Sequence, residues 1–285
     1  MFNFLNGFTE RDGTDLGERM LNAVASQSIR HLFTQSESLC VFVRCYPSNK
    51  LLLGSIDSFK MSGRGLMIRK DFQIEEMSFE TDAVAIDFRS VLNAKICLKQ
   101  PTQAVATVTL SEAGINHAFK SELVRKRLQN ISMPALSDLC GDEGVSFTEV
   151  EVQLLPDNRV RLFAKTDLLN YGVVPICLTA TLSIEQRRRL CFQDPHFELD
   201  LVPESIRGVS HDLTASFAKL LNNMVDLDRF DLDGVRMRLN RIETQGKKLV
   251  FSGYAEISRF PGSFTSHEKR SALSSEKSST YILQS

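Results

Sequence analysis

Tryptophan is absent and tyrosine is scarce, at 4 against 19 phenylalanines, so nearly all the aromatic area of this 285-residue chain is purely apolar. Such rings suit a core or a greasy pocket better than a hydrogen-bonding interface. An excess of one charge is missing too. Lys and Arg number 34 against 35 Asp and Glu, a formal net charge of -1. That leaves no global field to draw the chain onto nucleic acid, and no nucleic-acid partner is expected. Long apolar runs are also missing: the longest uncharged stretch, between Asp167 and Glu185, is interrupted by Asn170, Gly172 and Pro175. It falls short of the ~20 apolar residues a membrane-spanning helix requires. The chain opens Met1-Phe2-Asn3-Phe4-Leu5 and soon meets Glu10 and Arg11, which lacks the basic start and apolar run of a secretory signal. The expectation is a cytoplasmic protein, with residues 1–14 as a flexible segment whose Phe2, Phe4, Leu5 and Phe8 either strap the core or dip into an interface.

Motifs for chemistry are equally thin. The six cysteines, Cys40, Cys45, Cys97, Cys140, Cys177 and Cys191, contain no C-x-x-C, and the five histidines are scattered, so neither a metal nor a cofactor is expected. Buried, reduced thiols are the better reading. Gly63-Arg64-Gly65 lacks the third glycine of a dinucleotide fingerprint, and Gly246-Lys247-Lys248 lacks the Ser or Thr of a phosphate-binding loop. His211-Asp212 has no G-x-S-x-G to complete a triad. Glu75, Glu76, Glu80 and Asp82 read as solvated strand charges. The sequence points away from an enzyme.

What is present is periodicity. Leu16, Met20, Val24 and Leu32 share a stripe and predict a long helix over Asp15–Gln35. Alternation then takes over: Leu39, Val41 and Val43; Phe59 and Met61; Phe72 and Ile74, with Met77 and Phe79 out of phase, which reads as a β-bulge at Glu75-Glu76. Val84, Ile86 and Phe88 continue the pattern, Lys95–Leu98 makes a short strand, and Ala104–Leu110 runs to the helix cap Ser111. A second helix is expected over Glu112–Asn130, a hairpin around Pro156-Asp157-Asn158, a strand over Val173–Ile184, and a third helix over Asp212–Met224. A last hairpin turns at Gln245-Gly246. Residues 262–285 hold eight serines and almost no periodicity, and read as a disordered tail. The body, residues 15–261, is thus an α+β fold with antiparallel sheet, in which helix followed by several strands occurs roughly twice.

The segments Ser62-Gly63-Arg64-Gly65-Leu66, Glu76-Met77-Ser78-Phe79-Glu80-Thr81-Asp82, Leu98-Lys99-Gln100-Pro101-Thr102, Leu110-Ser111-Glu112-Ala113-Gly114-Ile115-Asn116 and Leu249-Val250-Phe251-Ser252-Gly253-Tyr254-Ala255 resemble the LmeA-like phospholipid-binding family, above all its cyanobacterial branch. The resemblance spans roughly Leu16 to Pro261. It implies a tubular lipid-binding architecture like that of bactericidal/permeability-increasing protein, long helices packed against strongly curved sheet, and lipid in an apolar groove. It carries no catalytic motif. The implied partner is a phospholipid or glycolipid, and the implied location is peripheral to a plasma or thylakoid membrane.

Periodicity then nominates the groove lining as Met20, Val24, Phe59, Met61, Met77, Phe119, Leu123, Phe217 and Leu221, and the headgroup contacts as Lys120, Arg125, Lys126 and Arg127. The same apolar residues would equally fill a core, in which case the protein is an interaction scaffold without lipid.

Overall fold

A computed structural model describes residues 16–47, 49–68, 71–93, 97–132, 144–198, 200, 202–227 and 234–258. The expectations for residues 1–14, for the tail 262–285 and for Cys140 lie outside the described residues. The fold is α+β, and every pairing between its strands is antiparallel.

Helix α1 (Leu16–Arg30) buries Leu21, Ala25 and Ile29. It stops five residues before the expected Gln35 because Thr34 and Gln35 are already bonded to Met67, Thr34 N–H donating to its carbonyl and Gln35 accepting from its N–H, at 2.8 and 2.9 Å. Strand β1 (Ser38–Arg44), the short helix α2 (Asn49–Leu52), β2 (Ser55–Ile56), β3 (Ser58–Ile68), β4 (Phe72–Thr81) and β5 (Val84–Ala85) follow.

The expected bulge at Glu75-Glu76 is not a register shift, since Arg64↔Glu76 and Leu66↔Ile74 keep one register. The change of phase is made on the neighbouring strand by Gly65, whose φ of +57° suits glycine. Beyond it Leu66 folds over Gly63, so Leu66 and its partner Ile74 are buried. Phe88 does not continue a strand: Asp87 accepts a hydrogen bond from Arg89 N–H at 3.1 Å and starts helix α3 (Phe88–Leu92). Of the expected strand Lys95–Leu98, residues 95 and 96 lie outside the described residues, and Leu98 forms a lone bridge to Ile86.

Strand β6 (Thr102–Ser111) leads into α4 (Glu112–Phe119), capped by Ser111 as expected, its hydroxyl accepting from Gly114 N–H at 3.1 Å. The second helix is shorter than Glu112–Asn130 and broken. Ser121 accepts from Val124 N–H and caps a separate helix, α5 (Glu122–Arg127). Strands β7 (Thr148–Leu154), β8 (Arg159–Leu168), β9 (Gly172–Glu185) and β10 (Arg189–Phe197) form a meander. Asp157 and Asn158 both take positive φ at its first turn, as a tight hairpin requires. The third helix, α6 (Arg207–Met224), starts five residues earlier than expected, and the hairpin β11 (Val235–Gln245) and β12 (Lys248–Ile257) ends the described chain.

The strands form a six-stranded sheet in the order β1-β3-β4-β6-β12-β11, a four-stranded sheet in the order β10-β9-β8-β7, and the small pair β2-β5. Each of α1 and α4 is thus followed by strands that lie next to one another in its sheet, the repetition suggested by the sequence. Two cores result. One packs Leu21, Ala25 and Ile29 of α1 against Val43, Phe59 and Met61 of the large sheet. The other packs Leu213, Phe217 and Leu221 of α6 against Leu162, Ile176 and Leu178 of the four-stranded sheet, and reaches Ile242 and Leu249 of the large one.

Candidate functional site

The site begins where α4 is fastened along β7. A helix rises ~6 Å over four residues and a strand ~6.6 Å over two, so side chains at i and i+4 can meet alternate residues of an edge strand. Glu112 accepts from Leu154 N–H at 2.8 Å. One turn on, the Asn116 carboxamide accepts from Val152 N–H at 2.7 Å and donates to its carbonyl at 2.9 Å. The next step of this ladder would set Lys120 level with Val150. Helix α4 has ended there, the chain turns at Ser121 into α5, and a cleft of about 690 Å3 opens instead.

Apolar atoms floor this cleft. Leu128 and Phe147 are buried, Phe119 and Val150 are half-buried, and the Phe147 ring packs on Phe217 with centroids 4.7 Å apart. Charge lies at the rim. Lys120 and Arg125 are exposed and have no ion-pair partner among the described residues. Of the two carboxylates there, Glu149 is held by Lys165 at 2.5 Å, leaving two cations against Glu151 alone.

The nominated lining residues do not form one groove. Val24, Phe59, Met61 and Met77 belong to the α1 core, where the gap beside Leu21 and Phe59 is only about 20 Å3. Phe217 and Leu221 fill the other core, beneath the cleft. Met20 and Leu123 are exposed, each at 40%. Phe119 alone lines the cleft. Of the nominated cations Lys120 and Arg125 meet at its rim, Arg127 is exposed nearby on α5, and Lys126 is paired with Glu122 at 2.6 Å. Phe147 and Val150 were not nominated because they sit at the start of a strand, before any helix or hairpin marks which side is inward. Asn116 was missed because a polar residue on a helix gives no sign of a strand edge 36 positions away.

A second depression, of about 420 Å3, lies on the outer face of the four-stranded sheet among Arg159, Arg161, Thr179, Asp194, His196 and Glu198. Its carboxylate Glu198 is already engaged, accepting from Thr179 at 2.5 Å and facing Arg161 at 3.5 Å, although the buried Arg161 Nε makes no hydrogen bond among the described residues. The basic triplet is likewise engaged, with Arg187 over the Tyr254 ring and Arg188 and Arg189 beside the buried Asp226.

Among the described residues no helix is long and apolar enough to cross a membrane. The model of the LmeA-like phospholipid-binding family matches residues 12–253. The chain belongs to that family. Family membership makes it kin to phospholipid-binding domains rather than to enzymes. No curated protein matches the sequence. Among solved structures, the di-domain ARO/CYC StfQ from the steffimycin biosynthetic pathway is 8% identical over 92% of this chain and 91% of its own, with a TM-score of 0.15, a likeness that carries no argument.

Proposed function

We propose that the protein binds phospholipid non-catalytically in the cleft between α4–α5 and β7, with acyl carbons against Phe119, Phe147 and Val150 and the phosphate met by Lys120 and Arg125. The observation that carries this reading is the cleft itself: an apolar floor and two cations unpaired among the described residues, in a chain of a phospholipid-binding family. Its volume of about 690 Å3 lies within the ~300–1,000 Å3 of small-ligand sites, whereas the slot beside α1 is filled by its own side chains. Each buried CH2 contributes ~0.8 kcal/mol, so a chain on this floor supplies affinity before any headgroup contact. The strongly curved tubular architecture, work at the surface of a plasma or thylakoid membrane, glycolipid as a further ligand, and transfer of lipid between membranes belong to the same proposal.

The test is native mass spectrometry of the protein after incubation with phosphatidylglycerol, phosphatidylcholine and glycolipid. A bound lipid retained by the wild type and lost in Phe119→Asp supports the cleft. Lys120→Glu with Arg125→Glu should weaken phosphatidylglycerol more than glycolipid, and less so at high salt. A folded wild type that holds no lipid in any mixture overturns the reading in favour of a scaffold with filled cores.

A further inference from the structure

Lipid that lives in a bilayer must reach the cleft from one, and one end of the four-stranded sheet is shaped for that contact. Strand β7 accompanies β8 only as far as Thr148↔Lys165, and β10 accompanies β9 only from Leu178 onward. The β8–β9 pairing continues past both, to Leu168↔Gly172, as a two-stranded projection. It is anchored on one face: Val174 and, at its last pair, Leu168 are buried, and near its base Ser210 of α6 donates to the Pro175 carbonyl at 2.5 Å. Its tip is bare. Leu169 is 92% exposed, Val173 59% and Tyr171 42%, and a Cβ added at Gly172 would meet nothing within 4 Å.

This tip differs from a scatter of surface apolar residues, which needs no explanation. Leu169 and Tyr171 sit on the turn itself and Val173 just inside β9, where the longest uncharged stretch of the chain, Leu168 to Ile184, begins. A tyrosine beside leucine and valine matches the border between headgroups and acyl chains, where its ring is apolar and its hydroxyl is wet. The nearest charge, Asp167, pairs across the hairpin with Val173 and marks the depth at which the protein must stay in water. Thr148, opposite Lys165, lines the cleft, so cleft and tip share one end of the sheet, separated by about 10 Å of strand. Lys120 and Arg125 stand at that end as well, complementary to anionic headgroups.

The geometry points to the β8–β9 tip as a wedge that sets the cleft mouth against a phospholipid bilayer, with Leu169 and Tyr171 entering its outer layer and Val173 at the waterline beside Asp167. This rests on the lipid reading of the cleft only for its purpose, and the two can be tested apart.

Because the chain has no tryptophan, Leu169→Trp gives a single reporter at the tip, and Leu53→Trp, at another exposed leucine, gives a control. With vesicles of phosphatidylcholine and phosphatidylglycerol, the indole emission of the L169W protein should shift to the blue and be quenched by brominated acyl chains, while the control stays unchanged. Leu169→Asp with Tyr171→Asp should reduce sedimentation with those vesicles by roughly tenfold or more, with the melting temperature unchanged. Binding of a short-chain phosphatidylglycerol below its micelle concentration, read by native mass spectrometry, reports the cleft separately and should not change in the tip variant. The wedge is overturned if wild-type protein does not sediment with vesicles, if the tip variant sediments equally well, if the L169W emission is unmoved, or if the tip variant instead dissolves a dimer seen with the wild type. Loss of short-chain binding in the wild type with tip-dependent sedimentation overturns the cleft and leaves the wedge standing.

Discussion

Asn22 closes the free edge of β1 by imitating a strand: its carboxamide accepts from Val43 N–H at 2.6 Å and donates to the Val43 carbonyl at 3.1 Å. The same device recurs twice. Asn116 of α4 pairs with both backbone groups of Val152 on β7, and Asn222 of α6 does so with Phe192 on β10, at 2.7 and 3.4 Å. These are edge strands, whose unpaired backbone otherwise invites pairing with another chain. Each asparagine thereby fixes both the position of its helix and the termination of its sheet.

Asn22→Ala should therefore lower stability by about 1–3 kcal/mol, the usual cost of leaving backbone groups unsatisfied, and Asn22→Asp, which keeps the acceptor but turns a charged oxygen onto the Val43 and Glu18 carbonyls, should cost at least as much. Urea unfolding of the two variants reads the difference. Equal stability of Asn22→Ala and wild type would show that water serves the edge equally well.

Phe119 and Phe217 look alike in sequence, yet the structure separates them. Phe119→Asp places its charge at a half-buried cleft wall and should leave a cooperative unfolding transition, with lipid binding abolished. Phe217 is fully buried against Phe147. Phe217→Ala should cost about 3–5 kcal/mol, and Phe217→Asp should prevent folding, as seen by loss of near-ultraviolet dichroism.

The thiols should differ sharply in reactivity. Burial, with the nearby Glu198 carboxylate second, pushes Cys177 up to about 11, and its side chain is 2% exposed. Cys40 is exposed and no described cysteine is in a disulfide. Mass spectrometry after iodoacetamide at neutral pH should find Cys40 alkylated and Cys177 untouched until the protein is unfolded.

Glu198 should contribute to acid sensitivity. The Thr179 hydroxyl, and then the Arg161 guanidinium, hold its carboxyl below the usual carboxylate range. A depressed folded-state value stabilises the protein above the unfolded value of about 4.3 and loses that contribution as pH falls through the folded one. Between pH 7 and pH 3, Glu198→Gln should lose less stability than the wild type. Parallel pH curves for the two would remove Glu198 from the acid transition.

Much of the fold was legible in one dimension because alternation and helical stripes record which side of an element is dry. The hairpins at Asp157-Asn158 and Gln245-Gly246, the cap at Ser111 and the alternation of Val160, Leu162 and Ala164 follow from short-range chemistry that any local reading detects. The same reading carries no record of which body lies opposite a dry face. Met61 and Phe119 both read as inward, but one meets α1 in a filled core and the other meets the end of α4, where a serine cap breaks the helix and a cleft opens. Pairings such as Asn22 with Val43, Asn116 with Val152 and Asn222 with Phe192 join residues 21, 36 and 30 positions apart. Nothing local to an asparagine distinguishes a strand-capping one from a solvated one. Composition and periodicity therefore determined the fold class and its helix-then-strands repetition. Only the packing of helices on sheet edges decided where apolar surface is spent as core and where it is left as a site.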